Sequence, residues 1–368
     1  RDPQELVIVG NPTRANGLST GDPRVDLLPN PIYTRARERL TSFSGLAAMG
    51  RAARLFMKTD GQSQPENPRG RFVSANFFSV LGVTAQIGRT FGTEEDRGVG
   101  ASSAVVISDE YWRRRFEGDR AVVGRSLTIN GAPVRIVGVT PPGFIGEVMG
   151  SAYDIWMPLT LQPLIQPGQG YVDDPQASWL VWLGRRKPGV TLEQARADLA
   201  TVVPPIFVEV SNADWYLRQA RDIKGSDLMV SDGSRGMSRT RAIYSGPLLT
   251  LMAGVGLLML IVCANVANLL LARATARARE MNLRVALGAG RWRVIRQLLT
   301  ESTVLAVTGA AVGLLVGYWG SQLLLAIAAD GGPSIPVAIG LQGRVAVFAV
   351  AVSLIAVIIF GLAPAVVA

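Results

Sequence analysis

Three groups of side chains in this sequence could do chemistry. Glu94-Glu95-Asp96 and Asp173-Asp174 set hard oxygen ligands side by side, the donor type that divalent cations take. Arg113-Arg114-Arg115 is a cationic run of the kind that holds phosphates. Each also has a plainer reading in its neighbours. Acidic side chains favour the positive end of a helix, so Glu94-Glu95-Asp96 reads as an exposed helix start. Trp112 and Phe116 frame the arginines at i and i+4, the pattern of a half-buried helix with one solvated face. Asp173-Asp174 has no third ligand close by and reads as a polar loop.

Composition narrows the chemistry further. The 368 residues include no histidine, which excludes Ser-His-Asp triads and H-E-x-x-H zinc sites. The single cysteine, Cys263, lies in an apolar run, so no internal disulfide and no Cys-rich metal site can form. Lysine occurs only at Lys58, Lys187 and Lys224, none of them in a G-x-x-x-x-G-K-[ST] phosphate loop. No cofactor is expected on this chain, and ATP, if it is used, must be bound by a partner. Arg1-Asp2-Pro3 is neither an initiator methionine nor a signal peptide, and the chain stops inside an apolar run, so an excerpt of a longer protein is expected.

The elements that must position these residues divide at about residue 240. Residues 1–246 carry 29 basic and 25 acidic side chains, residues 247–368 only 8 and 3. The second part contains uncharged apolar stretches at 247–272, 303–329 and 345–368. As helices, each exceeds the roughly 30 Å of a hydrocarbon core at about 1.5 Å per residue, so three membrane spans are predicted. Seven arginines (273, 277, 279, 284, 291, 293 and 296) lie between the first two stretches, but only Asp330 and Arg344 between the second and third. The arginine-rich loop is therefore expected in the cytoplasm and residues 1–246 mostly outside it. The net charge of +9 is then a topology signal, and no nucleic-acid partner is expected. Gly309, Gly313 and Gly317 form a small-residue ridge for close helix approach, and Asn265 and Asn268 are placed to hydrogen-bond between helices. None of the stretches has a central charge of the kind ion-coupled carriers use.

The first part, 1–240, reads as mixed α and β. Strands are predicted at Leu6–Val9, Ser103–Ile107 and Trp179–Leu183. A hairpin is predicted from Leu127–Ile129 through Asn130-Gly131 to Val134–Val139, because Asn-Gly supplies the positive φ angles of a type I′ turn. Helices are predicted at Pro31–Met49, Asp109–Phe116 and Leu192–Val203. The last is opened by the capping box Thr191-x-x-Gln194 and ended by Pro204-Pro205. Gln162–Gln176, rich in Gly, Pro and Gln, is predicted to be a loop or a subdomain join.

Several segments resemble a known family. Arg71–Gly82 (R-F-V-S-A-N-F-F-S-V-L-G), Ile87–Phe91 (I-G-R-T-F) and the A-V-V-I-S-D-E-Y-W-R-R-R-F run from Ala104 are similar to the periplasmic core domain of MacB-type permeases. Gly124–Gly131, Ile136–Phe144, Asp154–Leu159 and Gly184–Ala195 continue the likeness. Arg277–Gly290 (R-A-R-E-M-N-L-R-V-A-L-G-A-G) and Arg296–Ser302 resemble the FtsX-like permease domain. The outer part looks most like the acidobacterial duplicated orphan permeases.

The resemblance implies a fold class: an α+β extracytoplasmic domain followed by an α-helical transmembrane domain, in a multi-pass protein of the bacterial inner membrane. It also implies a function, the permease subunit of an ABC-type mechanotransmission transporter acting in efflux or in lipid and lipoprotein handling. Such a subunit has no catalytic site of its own. It works with an ABC ATPase subunit, a second permease copy, membrane lipid and an envelope partner. The coupling loop that would seat on the ATPase matches Glu280, Leu283, Arg284, Leu287, Gly288, Ala289, Gly290, Arg291 and Arg293. Read from the residues alone, those arginines equally enforce topology and touch anionic lipid. Two rivals stay open: a non-transporting FtsX-like regulator of an envelope enzyme, and an anchored enzyme, which the lack of a nucleophile–base pair disfavours.

Overall fold

The computed structural model describes residues 2–58, 66–148, 152–237, 246 and 248–261, with further helical positions at 265, 268, 272, 300, 308–309, 312–313 and 315–320. The chain divides into two compact units, 1–244 and 245–368.

The first unit begins with β1 (Leu6–Val9), β2 (Ser19–Thr20), α1 (Asn30–Arg39), β3 (Phe43–Arg54), β4 (Met57–Lys58), β5 (Arg69–Val73) and α2 (Phe77–Leu81). Next come β6 (Ile87–Gly88), β7 (Ala104–Ile107), α3 (Asp109–Phe116), β8 (Ser126–Ile129), β9 (Ala132–Val139), β10 (Ile155–Pro158) and α4 (Gln162–Ile165). It closes with β11 (Ala177–Ser178), β12 (Val181–Arg186), α5 (Leu192–Glu209), α6 (Asp214–Asp222) and β13 (Val230–Asp232). Eleven strands form one sheet, in the order β13-β1-β12-β3-β5-β10-β7-β9-β8-β4, with β6 on β9. Among the described strand pairs only β5–β10 and β7–β9 run parallel, apart from the isolated Val148–Met237 bridge. Met57 pairs with Ile129 on one side and bridges Glu66 on the other, so the β4 edge curls back towards β5.

Alternation along the strands sorts the apolar residues onto two faces, as a period of two requires. Val7, Leu46, Val105, Ile155 and Trp182 join one core, where α1, α3, α5 and α6 pack. Ile8, Ala47, Val106, Trp156 and Leu183 join the other, with α2 and the side chains of Phe144, Val148 and Tyr153. Strands covered on both sides read as continuous apolar runs, which makes them hard to tell from buried helix by periodicity.

That ambiguity explains one departure from expectation. The helix predicted over Pro31–Met49 is α1 followed by the 12-residue strand β3. Tyr33 and Ala36 do face the core from a helix, but Leu46-Ala47-Ala48-Met49 are buried from alternate sides of a strand. Gly50 fits there because an added Cβ would lie 2.1 Å from Cζ3 of Trp179. A second departure is α5, which runs through Pro204-Pro205 to Glu209. The buried stripe of Ala195, Leu199, Val203, Ile206 and Phe207 continues past the prolines, and burying it offsets the lost backbone hydrogen bonds. The strand predicted at Trp179–Leu183 starts two residues later, with Trp179 itself joined to Leu28 by its backbone N–H.

Other expectations match. β1 and α3 have the predicted bounds, and the Asn130-Gly131 turn has φ of 50° and 85°. Thr191 Oγ1 accepts from Gln194 N at 3.2 Å while Gln194 Oε1 accepts from Thr191 N at 2.8 Å. The Gln162–Gln176 stretch departs in part: its first four residues form the one-turn helix α4, and the rest is loop.

In the second unit, 248–261 is helical and every described residue in it is exposed. Positions 265, 268 and 272 of the same predicted span are helical too, as are 308–309, 312–313 and 315–320 of the next. Among the described residues, no helix is long and apolar enough to cross a membrane. The third predicted span, 345–368, lies outside the described residues.

Candidate functional site

A buried ion pair lies beside Met237, near the end of the first unit. Arg71 sits on β5 with its side chain facing the second core, opposite Ala52 of β3. Its Nη2 lies 2.8 Å from Glu147 Oε1, and the two side chains are 0% and 2% exposed. Arg71 Nη1 donates to Ala15 O at 3.1 Å and to Asn16 Oδ1 at 2.7 Å. The guanidinium lies 5.3 Å from the ring centre of Tyr153, which in turn packs edge-on against Trp156. The backbone of the same segment receives the outgoing chain. Met237 N donates to Glu147 O at 2.9 Å, and Met237 bridges Val148 in parallel register.

Nothing in the local sequence around Arg71 or Glu147 marks them as a pair, and neither is among the residues predicted to form a site. A usable signal existed in β5 alone. Arg71 falls in phase with Val73 on a strand whose Phe72 faces the other core, and a charge sealed between apolar neighbours must find a partner.

The three groups that drew attention in the sequence serve the fold. Glu95 is buried, against the expectation of an exposed acidic helix start. Its carboxylate accepts from Arg89 Nη2 at 2.9 Å and from Gly92 N at 2.7 Å, and Thr160 Oγ1 donates to its carbonyl at 2.8 Å. Burial pushes the Glu95 carboxyl up, but Arg89 and the Gly92 N–H together outweigh it and hold the pKa below the usual carboxylate range. Asp96 pairs with Arg37 at 2.6 Å. Arg113, Arg114 and Arg115 each meet a carboxylate, from Asp109, Asp154 and Glu66 respectively, at 2.9, 2.8 and 3.1 Å. The Asp109 carboxyl is held down chiefly by its hydrogen bond from Arg113. Trp112 is buried and Phe116 half-buried beneath this run, as the i, i+4 framing predicts. Asp174 Oδ1 accepts from Gln176 N at 2.8 Å, a local loop contact.

A cleft of about 460 Å³ lies between residues 22–26 and the stretch from Gln219 to Asp227, rimmed by Asp22, Asp26, Asp222 and Asp227. Asp26 pairs with Arg14, and Asp227 caps the Lys224 N–H at 2.9 Å. Among the described residues, no group of three acidic or sulfur ligands could hold a metal ion.

The predicted coupling-loop residues, Glu280 to Arg293, lie outside the described residues. Asn265, Asn268, Gly309, Gly313 and Gly317 are helical and exposed. An added Cβ at any of these three glycines meets nothing within 4 Å.

Residues 4–202 match the family of MacB-like periplasmic core domains, which is more than half of the chain. Residues 252–368 match the FtsX-like permease C-terminal family. The chain belongs to the MacB/FtsX family of ABC transporter permeases. Among individual family members, it is 26% identical over 246 residues to the macrolide export ATP-binding/permease protein MacB of Chromobacterium violaceum, covering 67% of this chain and 34% of that protein. It is 26% identical over 294 residues to the uncharacterized ABC transporter permease YknZ of Bacillus subtilis, covering 80% of this chain and 65% of that one. The chain thus spans about a third of the length of the MacB relatives that it matches. The crystal structure of the periplasmic region of MacB from Actinobacillus actinomycetemcomitans aligns with a TM-score of 0.42 at 12% identity, over 63% of this chain and 90% of that one. In this MacB/FtsX chain the core-domain match ends within α5, so α6, β13 and the outgoing segment through Met237 lie between the two family regions.

Proposed function

We propose that this chain is the permease subunit of an ABC-type transporter in the bacterial inner membrane. ATP hydrolysis in a partner subunit would move its extracytoplasmic first unit. The carrying observation is the order of parts in one chain: a periplasmic core domain, then an FtsX-like permease region with seven arginines between two apolar stretches. The positive-inside rule puts that loop in the cytoplasm and the first unit on the other side.

Within the loop, Leu283 and Leu287 are the apolar anchors, and Arg284, Arg291 and Arg293 flank the bend at Gly288-Ala289-Gly290. In this reading the loop docks into a groove of the ATPase as a short amphipathic helix. The ridge of Gly309, Gly313 and Gly317 admits a neighbouring helix, from the same chain or from a second permease copy. Mechanical coupling suits a region with no central charge in any apolar stretch, because no ion or proton relay is needed.

The test is purification of the full-length protein in detergent with vanadate-trapped nucleotide. A P-loop ATPase is expected to co-purify in stoichiometric amount and to be lost from the Arg284→Glu, Leu287→Asp double variant. Absence of any ATPase under conditions that keep the protein folded would overturn the reading.

A further inference from the structure

Outgoing chain and sheet meet at Met237. After β13, Gly233 N donates to Leu6 O at 2.8 Å, and Gly236 N closes a turn onto Gly233 O at 2.9 Å. An added Cβ at Gly233 would lie 3.0 Å from the Leu6 carbonyl carbon, so the segment lies tight against β1. Met237 then buries its side chain in the second core, with its N–H on Glu147 O. From Glu147 the connection passes through the ion pair to Arg71 on β5, a central strand of the sheet, and through Arg71 Nη1 to Ala15 and Asn16. One guanidinium therefore ties the β1–β2 loop, the middle of the sheet and the segment that receives the outgoing chain.

Raw stability is a poor explanation for such a pair. Two charges taken wholly out of water cost about as much as their attraction returns, and apolar replacements of similar volume are often neutral or better. What the buried pair adds is one relative placement of the parts it joins: Arg71 Nη1 is hydrogen-bonded to Ala15 O and Asn16 Oδ1, and drawing Glu147 away would leave a sealed charge without its counter-ion.

We propose that Arg71 and Glu147 form a latch that makes residues 233–237 and the sheet move as one body. Arg71 and Glu147 are positioning residues: a displacement arriving along the chain at Met237 shifts the whole first unit instead of peeling the outgoing segment from β1 and Val148. The inference rests on the proposed function for the source of the displacement, but not for the latch itself.

The experiment uses the full chain with its ATPase in detergent and two variants, Arg71→Met with Glu147→Met, and Arg71→Lys. Three quantities are read: amide exchange at Met237 and Gly233 against Leu183 of β12, ATP hydrolysis, and the nucleotide-dependent change in distance between spin labels at Asn212 and Leu248. In the double variant, protection at Met237 and Gly233 is expected to fall about 100-fold relative to Leu183, since the segment opens locally while the sheet persists. The Asn212–Leu248 distance is expected to respond to nucleotide more in the double variant than in the unmodified chain, because the segment then peels while the sheet stays behind, and hydrolysis is expected to stay within about twofold. Arg71→Lys keeps the charge without the fork, and is expected to restore part of the protection. Equal loss at Met237 and Leu183 would make the pair merely structural and overturn the latch, as would an Asn212–Leu248 distance that responds to nucleotide equally in the double variant and the unmodified chain. The exchange arm needs no nucleotide, so a missing ATPase would sink the proposed function and leave the latch to be judged on exchange alone.

Discussion

Leu46 and Ile155 in the first unit are 2% and 0% exposed, whereas Leu249, Met252 and Leu260 in helix 248–261 are 71%, 68% and 68% exposed. The first unit resolves the cost of apolar surface internally, by alternating side chains into two cores across one sheet. The helix of the second unit is apolar all round, so no rotation about its axis could hide its side chains from water. A contiguous apolar surface of that kind needs a covering of lipid or protein. In the proposed reading the difference is one of solvent: the leucines that stabilise the first unit by leaving water would face lipid or protein in the second.

The comparison breaks most sharply where a charge is added. Leu258→Arg places a guanidinium in the middle of the apolar helix, and at about 2.5–3.5 kcal/mol should sharply lower the carbonate-resistant membrane fraction of the full chain. Gln219→Arg, at an exposed position of the first unit, should leave it unchanged, within about 0.5 kcal/mol in stability. If both variants stay in the membrane fraction equally, the contrast in solvent is wrong.

Adding a methyl group sharpens the same contrast on a smaller scale. Gly50→Ala sets a Cβ against the Trp179 ring and should cost about 1–3 kcal/mol, read as a lower urea midpoint with no change in slope. Gly254→Ala meets nothing within 4 Å and should raise helix content slightly.

Acid is the gentlest probe. The folded Glu95 carboxyl titrates below its unfolded value, so its contribution is fully present above the ordinary carboxylate pKa of about 4.3. It is lost as pH falls through the folded value. Glu95→Gln should flatten the acid limb of first-unit stability, followed by Trp fluorescence. Helix 248–261 has no ionisable side chain, and its circular dichroism should not follow that limb.

Local signals with a local cause were legible in the residues themselves. Asn130-Gly131 needs positive φ, Thr191 and Gln194 cap a helix reciprocally, and Ser108 Oγ accepts from Tyr111 N at 3.0 Å to start α3 where expected. Each is decided within four residues. The helix-to-strand change after Leu40 and the passage of α5 through two prolines were not legible, because burial by distant elements decides both. Glu95 departs from expectation for the same reason: its carboxylate partners Arg89 and Gly92 are near in sequence, but Thr160, which donates to its backbone carbonyl, is 65 residues away.

By itself the sequence determined the division of the chain by charge, the absence of imidazole and disulfide chemistry, and the family motifs, since each is a property of residue type and order. Only the tertiary structure decided which charges are sealed and with whom. Arg71 and Glu147 are 76 positions apart and meet because Val73 of β5 and Val148, beside Glu147, join one core. An ion pair is a contact in space between side chains of known type, and sequence specifies the types without the distance.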